Sequence, residues 1–292
     1  MSGQPPGILV VTGGSRGIGA AVVRLAAARG WAVAIGSHSR SPQADALAAE
    51  IRASGGQAVA LAADVADSAA VDGLFAAAAQ AFPDRRITGV VASAGLGGPT
   101  GLVADLGRPA ALQELFAVNV LGVIHTARAA VRSMSTVHGG SGGGFVAVSS
   151  MAATIGGRPG KSVYAASKAA VDAFTVGLAK EVAAQGIRVN AVRPGVTRTD
   201  MTAGITGDPR RSAAVAATIP IGRFAEADEV AKPILWLLSE EASFVSGAVL
   251  DVSGGGFVLG AVASGPSLPA TNTGPGAQIS QPAPLRVAGS AH

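Results

Sequence analysis

Short, unbroken apolar runs alternate with longer stretches of helical pattern along most of this chain, and that alternation constrains the fold more than any other feature. ILVVT (8–12) leads to an Ala/Val-rich helix over 17–29, AVAIGS (32–37) to a helix over 42–53, and QAVALAAD (57–64) to one over 68–81. TGVVAS (88–93) leads to a long helical stretch over 109–135, and GFVAVSS (144–150) to a helix over 161–184. IRVNAV (187–192) leads to an irregular region over 194–224 and then a helix over 226–239, and AVLDV (248–252) closes the series. The runs are continuous rather than alternating, as in strands covered on both faces. Strand–helix–strand repetition demands parallel pairing through right-handed crossovers. The expected architecture is α/β: a doubly wound parallel seven-stranded sheet with helices on both faces.

Composition narrows the function classes. Hydrophobic residues make up 49% of the 292 and charged residues only 14%, which excludes a chain disordered throughout. The 41 glycines and 16 prolines fall short of a low-complexity composition, so much of the glycine must serve turns and close approaches. With no cysteine there is no disulfide framework, thiolate metal site or Cys nucleophile. A net charge of +4 without a basic run argues against nucleic-acid binding. Every long apolar stretch is broken by polar residues, so no transmembrane helix is expected. The start, MSGQPPGILVVTGG, lacks a basic n-region, and the expectation is a cytoplasmic protein. Residues 1–257 read as one domain. The 258–292 stretch, with five prolines and Arg286 as its sole formal charge besides the terminus, reads as a flexible tail or one packing on a partner subunit. HGGSGGG (138–144) reads as a surface connection before a strand.

The first strand ends in Thr12-Gly13-Gly14-Ser15-Arg16-Gly17-Ile18-Gly19, where a helix begins. Glycines let the backbone turn sharply and approach a pyrophosphate, while the helix start presents free N–H groups and a positive dipole end. Asp64-Val65 follows the third strand, Ser93-Ala94-Gly95 the fourth and Arg193-Pro194-Gly195 the sixth. Asn119 stands in Asn-Val-Leu-Gly, Ser149-Ser150 ends the fifth strand, and Tyr164 and Lys168 form Tyr-x-x-x-Lys with the chain's only tyrosine. Together, over about 7–256, these residues resemble the short-chain dehydrogenase/reductase family. The 150–256 portion is similar to its sugar-dehydrogenase-like and 3-oxoacyl-reductase-like members.

The resemblance implies a Rossmann-type sheet, an NAD(P)-dependent oxidoreductase, a small carbonyl or alcohol substrate, and a homo-oligomer, tetramer or dimer. It implies catalytic roles for Asn119, Ser150, Tyr164 and Lys168. It also implies cofactor contacts from Gly13, Ser15, Arg16, Gly17, Ile18, Gly19, Asp64, Val65, Ser93, Ala94, Gly95, Pro194, Gly195, Thr197 and Thr199, besides Tyr164 and Lys168. Ser93 replaces the family's usual Asn, so Ser or water must brace the sheet there. Ser150 to Tyr164 spans fourteen positions, one more than the commonest family spacing. Asn119 would kink its helix and hold a water leading from Lys168 to solvent.

The chemistry fits the residue types. Four residues apart on a helix, Tyr164 and Lys168 share a face about 6 Å apart along the axis. A free phenol titrates near 10, so an adjacent ammonium and an oxidised nicotinamide are expected to pull Tyr164 down toward the working range. Lys168 can also bind the nicotinamide ribose. At the second strand's end, Gly36-Ser37-His38-Ser39-Arg40 holds no acid to repel a 2′-phosphate, and Arg16 and Arg40 could meet one, which favours NADP(H) over NAD(H). The 194–222 segment, with Met201, Ile205, Thr206, Ile219 and Ile221, reads as an apolar lid over the substrate.

Other readings have less behind them. His38, His125, His138 and His292 show no metal-ligand spacing, and no metal is expected. Arg128 and Arg132 read as a solvated basic face, or else as a patch steering an acidic carrier. The competing functions are a non-catalytic nucleotide sensor of the same fold, an NAD-preferring sugar or alcohol dehydrogenase, and an S-adenosylmethionine-binding fold. The last has no use for Tyr164 and Lys168.

Overall fold

The computed structural model describes residues 7–107 and 109–256; the 258–292 segment lies outside the described residues. The chain runs β1 (Ile8–Thr12), α1 (Gly17–Ala28), β2 (Ala32–Ser37), α2 (Pro42–Ala53), β3 (Gln57–Ala62), α3 (Ser68–Ala81) and β4 (Ile87–Ala92). It continues through α4 (Pro109–Phe116), α5 (Gly122–Met134), β5 (Gly143–Val148), α6 (Ala152–Ile155), α7 (Ser162–Val182) and β6 (Ile187–Pro194). The last elements are α8 (Ala203–Thr206), α9 (Pro209–Ala216), α10 (Ala227–Leu238) and β7 (Val249–Val252).

The strands form one seven-stranded sheet in the order β3-β2-β1-β4-β5-β6-β7, and every neighbouring pair is parallel. This is the doubly wound sheet that the alternating pattern predicts. Alternation within each strand divides the core. Ile8, Val10, Ala32, Ala34, Val90 and Phe145 pack on the α3, α5 and α7 side, while Leu9, Val11, Val33, Ile35, Val91 and Val146 pack under α1, α2 and α10. Strand order reverses between β1 and β4, and the carboxyl ends there open a crevice of the kind in which such sheets bind ligands. Ser93 N–H donates to Thr12 O (3.2 Å), so main chain ties the two strands at that point where a bracing side chain was expected.

Two segments depart from the sequence reading. The 109–135 helix is not uniform: Ala117–Leu121 forms a π-turn that buries Asn119 completely. One extra residue per turn rotates a side chain out of register, which 3.6-residue periodicity does not reveal. The whole Pro109–Met134 stretch is apolar and long enough for a membrane span by length and composition, but Val123, Ala127, Ala130 and Met134 pack it into the sheet's core. The 194–224 region is not irregular throughout, since it contains α8 and α9. Asp208 caps α9 by accepting from the N–H groups of Arg210 (2.9 Å) and Arg211 (3.2 Å), with Pro209 opening the helix. Asp-Pro is a legible helix start.

Candidate active site

The glycine turn is shaped for a close backbone approach. Gly13 has φ +65°, and a Cβ there would lie 2.7 Å from Ala94 Cα, against the loop after β4. Gly17 has φ +55°, and a Cβ on Gly19 would collide with the carbonyl oxygen of Gly13. The turn is therefore backbone packed on backbone, leading into the N-terminus of α1 with Arg16 as its extended N-cap. These are the properties a dinucleotide pyrophosphate needs. Thr199 closes over the turn, its Cγ2 3.3 Å from where a Gly17 Cβ would stand. A cavity of about 530 Å³ flanks the outer side of the turn between Ser15, Arg16, Gln43 and Thr199, away from the Tyr164 face.

At the end of β2, Ser37 is buried and its hydroxyl donates to Ser39 O (2.9 Å), which shapes the loop. His38 Nδ1 lies 3.4 Å from Asp64 Oδ1, and Asp64 also accepts from Ala66 N–H (2.9 Å). Arg40 is largely solvated, with Nε 3.8 Å from Asp45. Val65 is buried beneath Gly122, and its carbonyl meets His125 Nδ1 at 3.0 Å. Arg128 is not merely solvated: it binds Asp72 of α3 at 2.6 Å, and Arg132 lies 4.0 Å from the same carboxylate. Among the described residues no group of three metal-ligating side chains comes together.

The two serines ending β5 diverge. Ser149 is buried and donates to Lys168 O (3.2 Å), pinning strand to helix. Ser150 is half-buried and accepts from Ala152 N–H (3.1 Å), and its side chain is close enough to the Tyr164 phenol to favour the ionised form. Lys168 is buried, and its Nζ donates to Val148 O (2.8 Å). A Cβ on Gly95 would stand 3.5 Å from that ammonium, so a glycine leaves room for it.

The electrostatics differ from expectation. Burial pushes Tyr164 above its ordinary value, and the Ser150 side chain opposes this without reversing it. Burial also lowers Lys168 to about 8, against the opposing charge of Asp172 one turn on. Both shifts have one cause, a low-polarity setting that disfavours the charged form of either group. Asp172 is itself held by Arg193, whose Nε donates to Asp172 Oδ2 (2.8 Å) and whose Nη1 reaches Asp251 (3.2 Å).

The side chain of Asn119 is a brace between two segments. Its Oδ1 accepts from Leu96 N–H (2.8 Å), and its Nδ2 donates to Leu96 O (2.9 Å) and Ser167 Oγ (3.1 Å). Ser167 donates in turn to Tyr164 O (2.7 Å), so one amide ties the loop after β4 to the backbone beneath the tyrosine. The sequence reading missed Lys161, whose Nζ donates to Gly97 O (2.9 Å) and Gly98 O (3.3 Å); its place three residues before Tyr164 was the available signal. The expected lid divides. Met201 borders Gly97, but Ile219 and Ile221 pack against Gly254 beyond β7. Pro194 accepts from Met151 N–H (3.1 Å), Gly195 lies against Ser253, and Thr197 is buried, donating to Gly195 O (3.1 Å).

Known proteins resemble this chain over most of its length. The family model described as enoyl-(acyl carrier protein) reductase matches residues 13–256. The chain is 43% identical over 249 residues to the uncharacterized oxidoreductase YgfF of Escherichia coli (strain K12), covering 85% of this chain and 99% of that one. It is 40% identical over 248 residues to the cis-4-hydroxycyclohexanecarboxylate dehydrogenase of Sinomonas cyclohexanicum, covering 85% and 95%. A short-chain dehydrogenase from Burkholderia cenocepacia J2315, solved in complex with NADP, superposes with a TM-score of 0.77 at 36% identity, covering 87% of this chain and 99% of that one. The chain therefore belongs to the short-chain dehydrogenase/reductase family and is an NAD(P)-dependent dehydrogenase/reductase.

Proposed function

We propose that the enzyme interconverts a ketone and a secondary alcohol using NADP(H), with Tyr164 moving the proton at the substrate oxygen. The observation that carries this reading is Tyr164 one helical turn before the buried Lys168, whose ammonium is anchored on Val148 O at the end of β5 next to Ser149 and Ser150, beside a glycine turn packed backbone on backbone. The bound nicotinamide supplies or accepts the hydride. Ser150 holds the substrate oxygen through its hydroxyl, and Tyr164 donates its proton to that oxygen in the reductive direction. A phenol held above its ordinary value stays protonated at neutral pH, as a general acid must. Lys168, anchored on Val148 O, supplies positive charge beside the phenol and a donor for the ribose. Asn119 keeps the Leu96 loop and the Tyr164 backbone in register.

The preference for NADP(H) is supported by Arg16, whose guanidinium has no hydrogen-bond or ion-pair partner among the described residues, and by the solvated Arg40. Both are available to a 2′-phosphate, for which a guanidinium fork is well suited. The neighbour solved in complex with NADP points the same way, while the relative named for a ring secondary alcohol supports the ketone–alcohol reading. Self-association is supported by the fully exposed Phe244, close in sequence to the edge strand β7.

A ketone and alcohol panel with each coenzyme tests the reading. Tyr164→Phe is expected to keep NADPH binding, read by Trp31 and Trp236 fluorescence, and to lose turnover by about 10²–10⁴-fold. Retained turnover would move the proton transfer to another group. NADPH binding without turnover of any substrate by the unmodified enzyme would favour the sensor reading.

A further inference from the structure

Lys161 is a partly buried cation beside the active-site stripe, and it has no anion. Its Nζ spends hydrogen bonds on two backbone carbonyls, Gly97 O and Gly98 O. An ammonium carries three N–H donors, so one is left over. No carboxylate among the described residues forms an ion pair with it. Burial holds its pKa below the ordinary lysine value, a sign that the surroundings disfavour the bare charge. Desolvating a cation without a counterion is costly, and two neutral carbonyls offset that only in part.

Its position gives the cost a use. Tyr164 and Lys168 share a face of α7 four residues apart, and Lys161 is the residue that caps the helix one turn before Tyr164. The loop after β4 runs along that face. Gly95 faces the ammonium of Lys168, with 3.5 Å from its would-be Cβ, and Gly97 faces the ammonium of Lys161, with 3.9 Å. Tyr164 thus lies between two cations. The Lys168 end is filled by Val148 O and borders the glycine turn. At the Lys161 end Gly97 presents no side chain, and Met201 Cγ stands 3.9 Å from the same would-be Cβ, giving an apolar wall next to a charge.

We infer that Lys161 is a subsite for a carboxylate on the substrate, so that the preferred ketone or alcohol carries an ionised acid group on the side of its carbonyl away from Lys168. The inference rests on the ketone–alcohol reading of the site. A charge-assisted hydrogen bond from an ammonium is among the stronger polar contacts, and its loss is expected to lower acid binding about ten- to a hundred-fold. The N-terminal end of α7 adds its positive dipole to the same spot.

The test uses 4-oxocyclohexanecarboxylate and acetoacetate, each against its methyl ester, with NADPH oxidation as the readout. The unmodified enzyme is expected to prefer the acids. In Lys161→Gln the acid-over-ester ratio of kcat/KM should fall ten- to a hundred-fold, mainly through KM, while Lys161→Arg restores most of it. Arg158→Gln, an exposed position in the same loop, should leave the ratio unchanged. Equal losses for acids and esters would reduce Lys161 to an anchor for the Gly97–Gly98 loop and overturn the inference, as would an unmodified enzyme without acid preference. A calorimetric titration of cyclohexanecarboxylate, with and without NADPH, separates the two levels of the argument. Lys161-dependent carboxylate binding without turnover of any ketone refutes the redox reading and leaves the subsite standing. Turnover with carboxylate binding unchanged in Lys161→Gln refutes the subsite alone.

Discussion

Replacing Asn119 by alanine should unfasten the active site from within. The side chain is fully buried and makes three hydrogen bonds, two to the Leu96 main chain and one to Ser167. At about 1 kcal/mol net for each bond, the loss is about 3 kcal/mol, and it rises if the Leu96 N–H and C=O find no water. That is a large part of an ordinary domain's stability and corresponds to a drop in Tm of about 6–12 °C at this size. Urea denaturation at fixed protein concentration measures it, with a matched loss of kcat because Ser167 links the amide to the Tyr164 backbone. Asn119→Asp is the informative companion. It keeps the acceptor for Leu96 N–H but turns the donor into a second acceptor facing Leu96 O, so it should fall near the alanine variant despite its matched shape. A loss below about 1 kcal/mol in both variants, with kcat intact, would refute the brace.

Three further outcomes follow from the same geometry. Gly19→Ala puts a methyl on the carbonyl of Gly13, so the turn must shift, and NADPH affinity should fall more than tenfold by fluorescence titration while the fold survives by circular dichroism. Arg16→Ala and Arg40→Ala should each cut kcat/KM for NADPH while sparing NADH; equal losses with both coenzymes would assign these side chains to general positioning. Lys168, lowered to about 8, loses its proton as pH rises through that value, so ketone reduction should decline on the alkaline side of about 8, and Asp172→Asn should move the decline to lower pH. The linkage has a definite sign. Between about 8 and 10.5 the unfolded chain holds the proton that the folded chain has released, so this residue makes stability rise with pH, and Lys168→Met should flatten that rise in urea midpoints.

The fold was open to sequence reading because its strands are covered on both faces, so each appears as an unbroken apolar run between helical stretches. The glycine turn was legible for a related reason: a backbone that packs on backbone at Gly13 and Gly19 admits no side chain, and such positions stand out in any sequence. What stayed hidden depends on contacts between distant segments. The π-turn at Asn119 exists to direct one amide at Leu96, 23 residues away, and no local period encodes that. Lys161 looks like any loop lysine until Gly97 and Gly98 arrive beneath it. Ile219 and Ile221 suit a lid by composition, yet Gly254 claims them. The Asp208-Pro209 start of α9 was legible and was passed over, because the surrounding segment lacks the apolar stripe that marks the other helices.

Tyr164 and Lys168 move in opposite directions on the pH scale for one reason, which is that burial favours the neutral form of each. In the proposed reaction, a phenol that keeps its proton can donate it to the substrate oxygen in the reductive direction. Alcohol oxidation makes the opposite demand, since the phenol must lose its proton in a setting that resists the resulting charge. Lys168 can relieve that resistance only while it is protonated, and its ammonium is then bound to Val148 O rather than to the phenol. The charge of Asp172 favours that protonated state, and Arg193, itself paired with Asp251, holds Asp172 in place. The carboxylate one turn behind the lysine therefore regulates how much positive charge the tyrosine experiences. In the proposed reaction, the pH range over which Lys168 keeps its charge is set as much by this salt-bridged chain one turn further along α7 as by the groups that touch the substrate.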